Sequence, residues 1–357
     1  MLKRLFSALI IILFLSVNCC ALGSDDISAE CAVVMDAQTG QVVFEKNAHK
    51  KHSMASTTKI MTSLLAVESG KLFDEITVNE KMVNVEGTSM GLKAGDSVSL
   101  EELVYGMLLP SGNDAANSTA VYLGGSTEKF VSEMNSRAKQ IGMNNTNFVT
   151  PSGLDDDKHY STAYDMALLS SQAVRSRNFL AICSATKAKL TYGNPPYERW
   201  LYNHNRLLES YDGALGIKTG FTKKSGRCLC TYARRGSVGL IAVTLNDPDD
   251  WDDHRKMLNY AFENQKPKCF SVNIPERISV VGSNVNSVKI SSVKYYSTAE
   301  NLSFKIYIKK FIYTPVKAGD IVGYIKVIFN NKVIDEINLT SSENADYCPK
   351  KDRRLLK

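Results

Sequence analysis

Three short motifs hold the residues of this chain that can do chemistry. They are Ser56-Thr57-Thr58-Lys59, Ser111-Gly112-Asn113 and Lys218-Thr219-Gly220, in that order along the sequence. A serine hydroxyl is a weak nucleophile until a base takes its proton. Ser56 and Lys59 are three residues apart, so on a helix they share one face and lie within reach of that transfer. Lys59 can act as the base only when neutral. Its ordinary pKa of about 10.4 must be lowered by burial and by a nearby positive charge, which Lys218 can supply. At a helix start, the backbone N–H of Ser56 also faces the place where negative charge develops on an attacked carbonyl oxygen. The set reads as nucleophile, base, a second proton-handling serine and an anion-binding lysine.

Single motifs carry little weight. Ser-x-x-Lys recurs at Ser126/Lys129, Ser184/Lys187 and Ser291/Lys294, and Ser-x-Asn recurs at Ser176/Asn178 and Ser271/Asn273. Lys-Thr-Gly occurs once. Only Ser56 opens a long apolar-periodic stretch and precedes both other motifs, so order and surroundings make the case.

The elements that must position these residues can be read from periodicity. Cys31–Met35 and Gln41–Glu45, around a turn near Thr39-Gly40, predict a β-hairpin. Ser56 to Ser69 predicts a helix with Ile60, Leu64, Leu65 and Val67 inward and Gly70 as its stop. Further helices are expected over Glu101–Leu109 (ended by Pro110), Asn113–Leu123, Thr127–Ile141 and Thr162–Arg175. Strands follow at Gly216–Thr219, Cys228–Ala233 and Gly239–Leu245, then a closing helix over Asp253–Asn264. This is an α+β pattern, helices on an antiparallel sheet. After a polar linker at Asn264–Lys268 the chain turns β-rich, with strands expected over Ser287–Tyr296, Leu302–Ile308, Ile321–Phe329 and Val333–Leu339. Turn signals sit at Lys317–Asp320 and Asn330-Asn331. The organisation expected is a signal peptide (1–23), a catalytic α+β domain (24–264), a small all-β sandwich (268–345) and a basic tail (346–357).

At 357 residues, 44% apolar and 22% charged, the chain can bury a full core. A formal charge of +6 is mild and suits anionic wall polymers or lipid surfaces. No dense Lys/Arg run with interleaved aromatics points to nucleic acid. Lys3 and Arg4 precede an apolar run from Leu5 to Val17, with small residues at Ala21 and Gly23. This is the pattern of a cleaved export signal, with an uncleaved anchor and a lipoprotein site at Cys19 or Cys20 as the other readings. Six of the eight cysteines lie beyond the leader: Cys31, Cys183, Cys228, Cys230, Cys269 and Cys348. Export permits disulfides, but spacing assigns no pairs. Cys228 and Cys230, two apart on one strand, point the same way. No Cys/His cluster has metal spacing, so neither metal nor cofactor is expected.

The segment Met54-Ala-Ser-Thr-Thr-Lys-Ile-Met-Thr62 resembles the active-site helix of D-alanyl-D-alanine carboxypeptidases, the low-molecular-mass penicillin-binding proteins of serine peptidase family S11. Phe148-Val-Thr-Pro-Ser-Gly-Leu154, His159-Tyr-Ser-Thr-Ala-Tyr-Asp165, Asn205-Arg-Leu-Leu208 and Gly216-Ile-Lys-Thr-Gly-Phe-Thr222 resemble further stretches of that family. The similarity spans about residues 28 to 264, and the β-rich tail resembles the family's C-terminal domain. It implies a β-lactamase/transpeptidase-like fold and a substrate, the peptidoglycan pentapeptide ending in D-Ala-D-Ala. It also implies roles. Ser56 forms the acyl-enzyme, Lys59 takes its proton and Ser111 relays it to the departing D-alanine. Asn113 holds the peptide amide, Lys218 and Thr219 of the Lys218-Thr219-Gly220 motif bind the terminal carboxylate, and the N–H groups of Ser56 and Phe221 form the oxyanion hole. β-Lactam antibiotics would be covalent inhibitors. Arg206 is expected in a structural ion pair, with tuning of Lys218 as the other reading, and His159 in loop stabilisation rather than proton transfer. Nothing requires His52 in catalysis.

Two departures stand out. Ser53 stands where many relatives have proline before the active helix. After Leu339 there is no periodic apolar face of the kind with which relatives lie on the membrane, which leaves membrane contact open. The nearest rival is a serine β-lactamase, which needs a deacylating base. The closest match, Glu198-Arg-Trp-Leu-Tyr-Asn203, is one residue out of frame with Glu-x-x-Leu-Asn and too near Lys218. A second rival is a non-catalytic wall-binding or antibiotic-sensing protein of the same fold.

Overall fold

A computed structural model describes residues 22–348. The expected export signal, apart from its last two residues, and most of the basic tail lie outside them.

A five-stranded antiparallel sheet organises the first part of the chain. Its strands are β1 (Cys31–Asp36), β2 (Val42–Lys46), β3 (Ala214–Thr222), β4 (Gly226–Arg235) and β5 (Val238–Leu245), in the order β2-β1-β5-β4-β3. Alternation along β1 explains why it is buried throughout. Cys31, Val33 and Met35 enter one apolar cluster, while Ala32 and Val34 enter another on the opposite face. β5 does the same, sending Ile241, Val243 and Leu245 one way and Leu240 and Ala242 the other. The first face packs on the helical block, α1 (Lys59–Glu68), α2 (Leu100–Leu108), α3 (Asn113–Gly124), α4 (Thr127–Ile141) and α5 (Ala163–Ala173). The second is covered by α6 (Asp250–Asn264) through Met257, Leu258 and Ala261. The expected α+β arrangement is therefore present, with helices on both faces of the sheet.

Ser99, Ser126 and Thr162 begin their helices by accepting from a backbone N–H three residues on. One decoy Ser-x-x-Lys is thereby explained, because Ser126 accepts from the N–H of Lys129 as a helix cap. α1 differs from expectation at its start. Residues Ala55–Thr58 form a 3₁₀ turn and the α-helix begins only at Lys59. Ala55 has φ +46°, which lets the chain turn sharply into the helix. The tighter turn eclipses side chains three apart, so Ser56 and Lys59 face each other more directly than on an α-helix. Gly70 ends the segment with φ +73°, as its position predicts.

The β-rich C-terminal region holds strands Leu302–Ile308, Ile321–Phe329 and Lys332–Thr340 in one antiparallel sheet. Asn330 and Asn331 both have positive φ, as a two-residue hairpin turn demands. The single strand expected over Ser287–Tyr296 is two, Ser287–Lys289 and Lys294–Ser297, because each half pairs with a different strand. Ile278, Val288, Ile325 and Leu339 form this region's core.

Candidate active site

The three motifs converge on one cleft of about 970 Å³, lined by Ser56, Ser111, Asn113, Thr219, Gly220 and Phe221 among others. Ser56 comes from the 3₁₀ turn, Ser111 from the α2–α3 connection, Asn113 from the first residue of α3, and the rest from β3. Among the described residues β3 is the edge strand of its sheet, paired only with β4, so its outer edge can receive an extended peptide. Close approach of strand and turn depends on Gly220, where a Cβ would come within 3.1 Å of the backbone nitrogens of Ser56 and Thr57.

Lys59 is buried, and its Nζ lies 2.8 Å from Ser56 Oγ, 2.7 Å from Asn113 Oδ1 and 2.7 Å from the Ser152 carbonyl oxygen. Asn113 is oriented by its own amide, whose Nδ2 donates to the Glu86 carbonyl at 2.7 Å. A neutral amine has two hydrogens and one lone pair. The two fixed oxygens accept the hydrogens, which leaves the lone pair aimed at the Ser56 hydroxyl. Burial, and after it the charge of Lys218, holds the Lys59 amine well below its usual range. The nearest opposing influence, Asp114, is committed to Ser89 Oγ and the N–H groups of Met90, Gly91 and Leu92. The neutral base required by the sequence reading is thus what this environment favours.

Lys218 is also buried and has no carboxylate partner among the described residues; its Nζ donates to the Thr219 carbonyl at 2.9 Å. Burial lowers its pKa to about 7. An incoming carboxylate would raise it again and meet a cation. Burying this amine costs stability. Lys218→Met is expected to raise stability by about 2 kcal/mol near pH 7. Between about pH 7 and 10 the unfolded chain binds this proton and the folded chain does not, so the native protein gains stability as pH rises. The gap between variant and native melting temperatures should therefore narrow over that window. A gap independent of pH would contradict the assignment.

Ser111 has φ +67°, is mostly buried and lines the cleft. Its carbonyl accepts from Thr88 Oγ1, and its hydroxyl has no hydrogen-bond partner among the described residues. Phe221 is 65% exposed and forms part of the cleft wall.

Several cleft residues were not found from the sequence. His204, Arg227, Asp250 and Trp251 line it, Arg227 pairing with Asp250. Arg206 corrects an expectation: it is exposed on the cleft wall and makes no ion pair among the described residues, rather than sitting in a structural one. Asp250 is the only carboxylate among the described lining residues, and it is tied to Arg227. Glu198 is exposed, paired with Lys189 at 2.7 Å and outside the cleft, so it is no deacylating base. His52 lies 3.6 Å from Glu30 and does not line the cleft. His159, by contrast, is buried against the 3₁₀ turn, its Nε2 lying 2.8 Å from Thr58 Oγ1. Cys31, Cys183, Cys228, Cys230, Cys269 and Cys348 are all free thiols, and no cluster fit for a metal occurs among the described residues.

Comparison with known proteins finds clear relatives of the chain. Residues 19–249 match the family model for D-alanyl-D-alanine carboxypeptidase (peptidase S11), and residues 273–347 match that for the C-terminal domain of penicillin-binding protein 5. The chain is 31% identical over 352 residues to the D-alanyl-D-alanine carboxypeptidase DacF of Bacillus subtilis, covering 88% of this chain and 85% of that protein. It is 33% identical over 350 residues to DacC of Escherichia coli, covering 90% and 85%. Among solved structures, the carboxypeptidase DacD of Francisella tularensis superposes with TM-score 0.62 at 28% identity, covering 90% of this chain and 94% of that one. A D-alanyl-D-alanine carboxypeptidase of Mycobacterium tuberculosis gives TM-score 0.64 at 29% identity, covering 68% and 94%.

Proposed function

Because the chain belongs to the S11 family of serine D-alanyl-D-alanine carboxypeptidases, we propose that Ser56 is the nucleophile that cuts the amide between the last two D-alanines of peptidoglycan pentapeptides. The observation that supports this most is the Lys59 amine, 2.8 Å from Ser56 Oγ with its other two partners fixed.

The substrate lies along the free edge of β3 with its terminal carboxylate at Lys218 and Thr219, a cation beside a hydroxyl. Lys59 takes the Ser56 proton as Oγ attacks the carbonyl carbon. The resulting oxyanion faces the N–H groups of Ser56 and Phe221; first-turn N–H groups such as that of Ser56 are not consumed by helix bonding. As the C–N bond breaks, the Ser111 hydroxyl passes a proton to the leaving nitrogen and recovers one from Lys59. Asn113 keeps one Nδ2 hydrogen for the substrate's backbone after its bond to Glu86. Water then attacks the ester, returning Ser56 and releasing the shortened peptide.

A β-lactam ring opens by the same attack, but its leaving group stays tethered. With no free carboxylate among the described lining residues to activate water, the penicilloyl ester should persist. Purified protein mixed with benzylpenicillin is expected to gain the mass of one penicilloyl group on Ser56, held for many minutes. Rapid hydrolysis of the antibiotic without a lasting adduct would favour the β-lactamase reading instead.

Residues 1–23 as an export signal would deliver the enzyme to the outer side of the membrane, where such peptides are. Among the described residues no helix is long and apolar enough to cross a membrane.

A further inference from the structure

The nucleophile turn is held by a line of hydrogen bonds that ends on a peptide carbonyl, and the direction of every bond in it is forced. The backbone N–H of Val149 points at His159 Nδ1 at 2.9 Å, and that of Thr150 at 3.4 Å. A backbone N–H can only donate, so Nδ1 is unprotonated and the ring hydrogen sits on Nε2. Nε2 lies 2.8 Å from Thr58 Oγ1 and therefore donates to it. The Thr58 hydroxyl is left to donate to the Ala55 carbonyl oxygen, also at 2.8 Å. Thr58 and His159 are both buried.

Ala55 is the residue with φ +46°, and its C=O belongs to the same peptide plane as the Ser56 N–H. In a trans peptide the two point in opposite directions. Fixing the carbonyl on the Thr58 side therefore aims the Ser56 N–H at the cleft. Gly153 completes the arrangement. A Cβ there would fall 2.0 Å from the Ala55 oxygen, so only glycine lets the 152–154 backbone close over the turn while Ser152 accepts from Lys59.

Resting on the assignment of Ser56 as nucleophile, we infer that His159 and Thr58 are positioning residues that orient the Ala55–Ser56 peptide so that its N–H serves as an oxyanion donor. Neither touches the substrate. Their influence passes through one peptide plane, so it falls on the charged tetrahedral state and not on initial binding.

The test compares Thr58→Val, Thr58→Ser, His159→Phe and the Thr58→Val/His159→Phe double variant. The rate of acylation by benzylpenicillin is separated from its initial non-covalent affinity by stopped-flow mixing. Thr58→Val and His159→Phe are each expected to slow acylation about 10- to 100-fold, less than the loss of a whole oxyanion donor. The initial affinity should stay within about 3-fold of native. Thr58→Ser retains the hydroxyl and should acylate at the native rate. Because both residues act on one carbonyl, the double variant should be no slower than the worse single one. An alkylboronic acid, whose tetrahedral adduct puts an oxygen in the same hole, should lose affinity in parallel with the acylation rate. Should His159→Phe fail to fold, the Thr58→Val and Thr58→Ser pair decides the matter alone. Native-rate acylation by Thr58→Val, or multiplying losses in the double variant, would overturn the inference while leaving the Ser56 assignment intact. Failure of the native protein to acylate at Ser56 would overturn the assignment itself.

Discussion

Lys59→Met should slow acylation of Ser56 by about 10³-fold or more at neutral pH, with little change in initial substrate affinity. Methionine nearly matches the length and volume of the lysine stem, so the buried channel stays filled. What is lost is the lone pair 2.8 Å from Ser56 Oγ. The Asn113 and Ser152 oxygens, each 2.7 Å from Nζ, are then left without their donor, which costs about 1–3 kcal/mol of stability per unpaired group. The pH profile separates base from mere filler. In the native protein acylation should fall as pH drops and Lys59 takes a proton, because burial and Lys218 depress its pKa and neutrality is its active form. That limb should vanish in Lys59→Met. Lys59→Arg should be as inactive as the methionine variant, since a guanidinium stays charged. Near-native acylation by either variant, read by intact-mass kinetics, would mean that another group takes the proton.

Ser56→Ala should abolish penicilloyl labelling and lower peptide turnover by about 10⁴-fold or more, because no second nucleophile is placed to replace it. Ser111, the other cleft hydroxyl, stands on the α2–α3 connection and has no contact with Lys59 Nζ among its hydrogen bonds. The fold should be untouched. Among the described residues the Ser56 side chain is hydrogen-bonded only to Lys59, and Lys59 retains two acceptors without it. Unchanged circular dichroism together with lost labelling would place the whole effect on one oxygen atom.

Much of this site could be read from residue types, because the groups proposed to move protons and bind charge are side chains. Ser56, Lys59, Ser111, Asn113, Thr219, Gly220 and Phe221 all line or border one cleft, with Lys218 buried beside them. The helices over Thr127–Ile141 and from Asn113 were legible for a similar reason: a buried stripe and clear end signals. What escaped was mainly backbone. The carbonyls of Ser152, Glu86 and Ala55 hold Lys59, Asn113 and Thr58, yet a carbonyl looks the same at every position in a sequence. The positive-φ turn at Ala55 is equally invisible, since alanine gives no sign of it; its carbonyl is held by Thr58 Oγ1 within the same turn. The hairpin of Lys187–Gly193 and Pro196–Tyr202 has no counterpart among the elements expected from sequence, although Ala188, Leu190 and Tyr192 alternate with polar residues along its first strand. Arg206 and Arg227 are charged surface types whose place on the cleft wall depends on how distant segments pack.

Free D-alanine released from a pentapeptide ending in D-Ala-D-Ala, measured side by side for the native protein and Ser56→Ala, tests the central claim most directly. The native protein should release one D-alanine per peptide over many turnovers, and the variant none above background. Equal release by both proteins would remove Ser56 as the nucleophile. No release by a native protein that still binds penicillin would make this a wall-binding or antibiotic-sensing relative, not a carboxypeptidase.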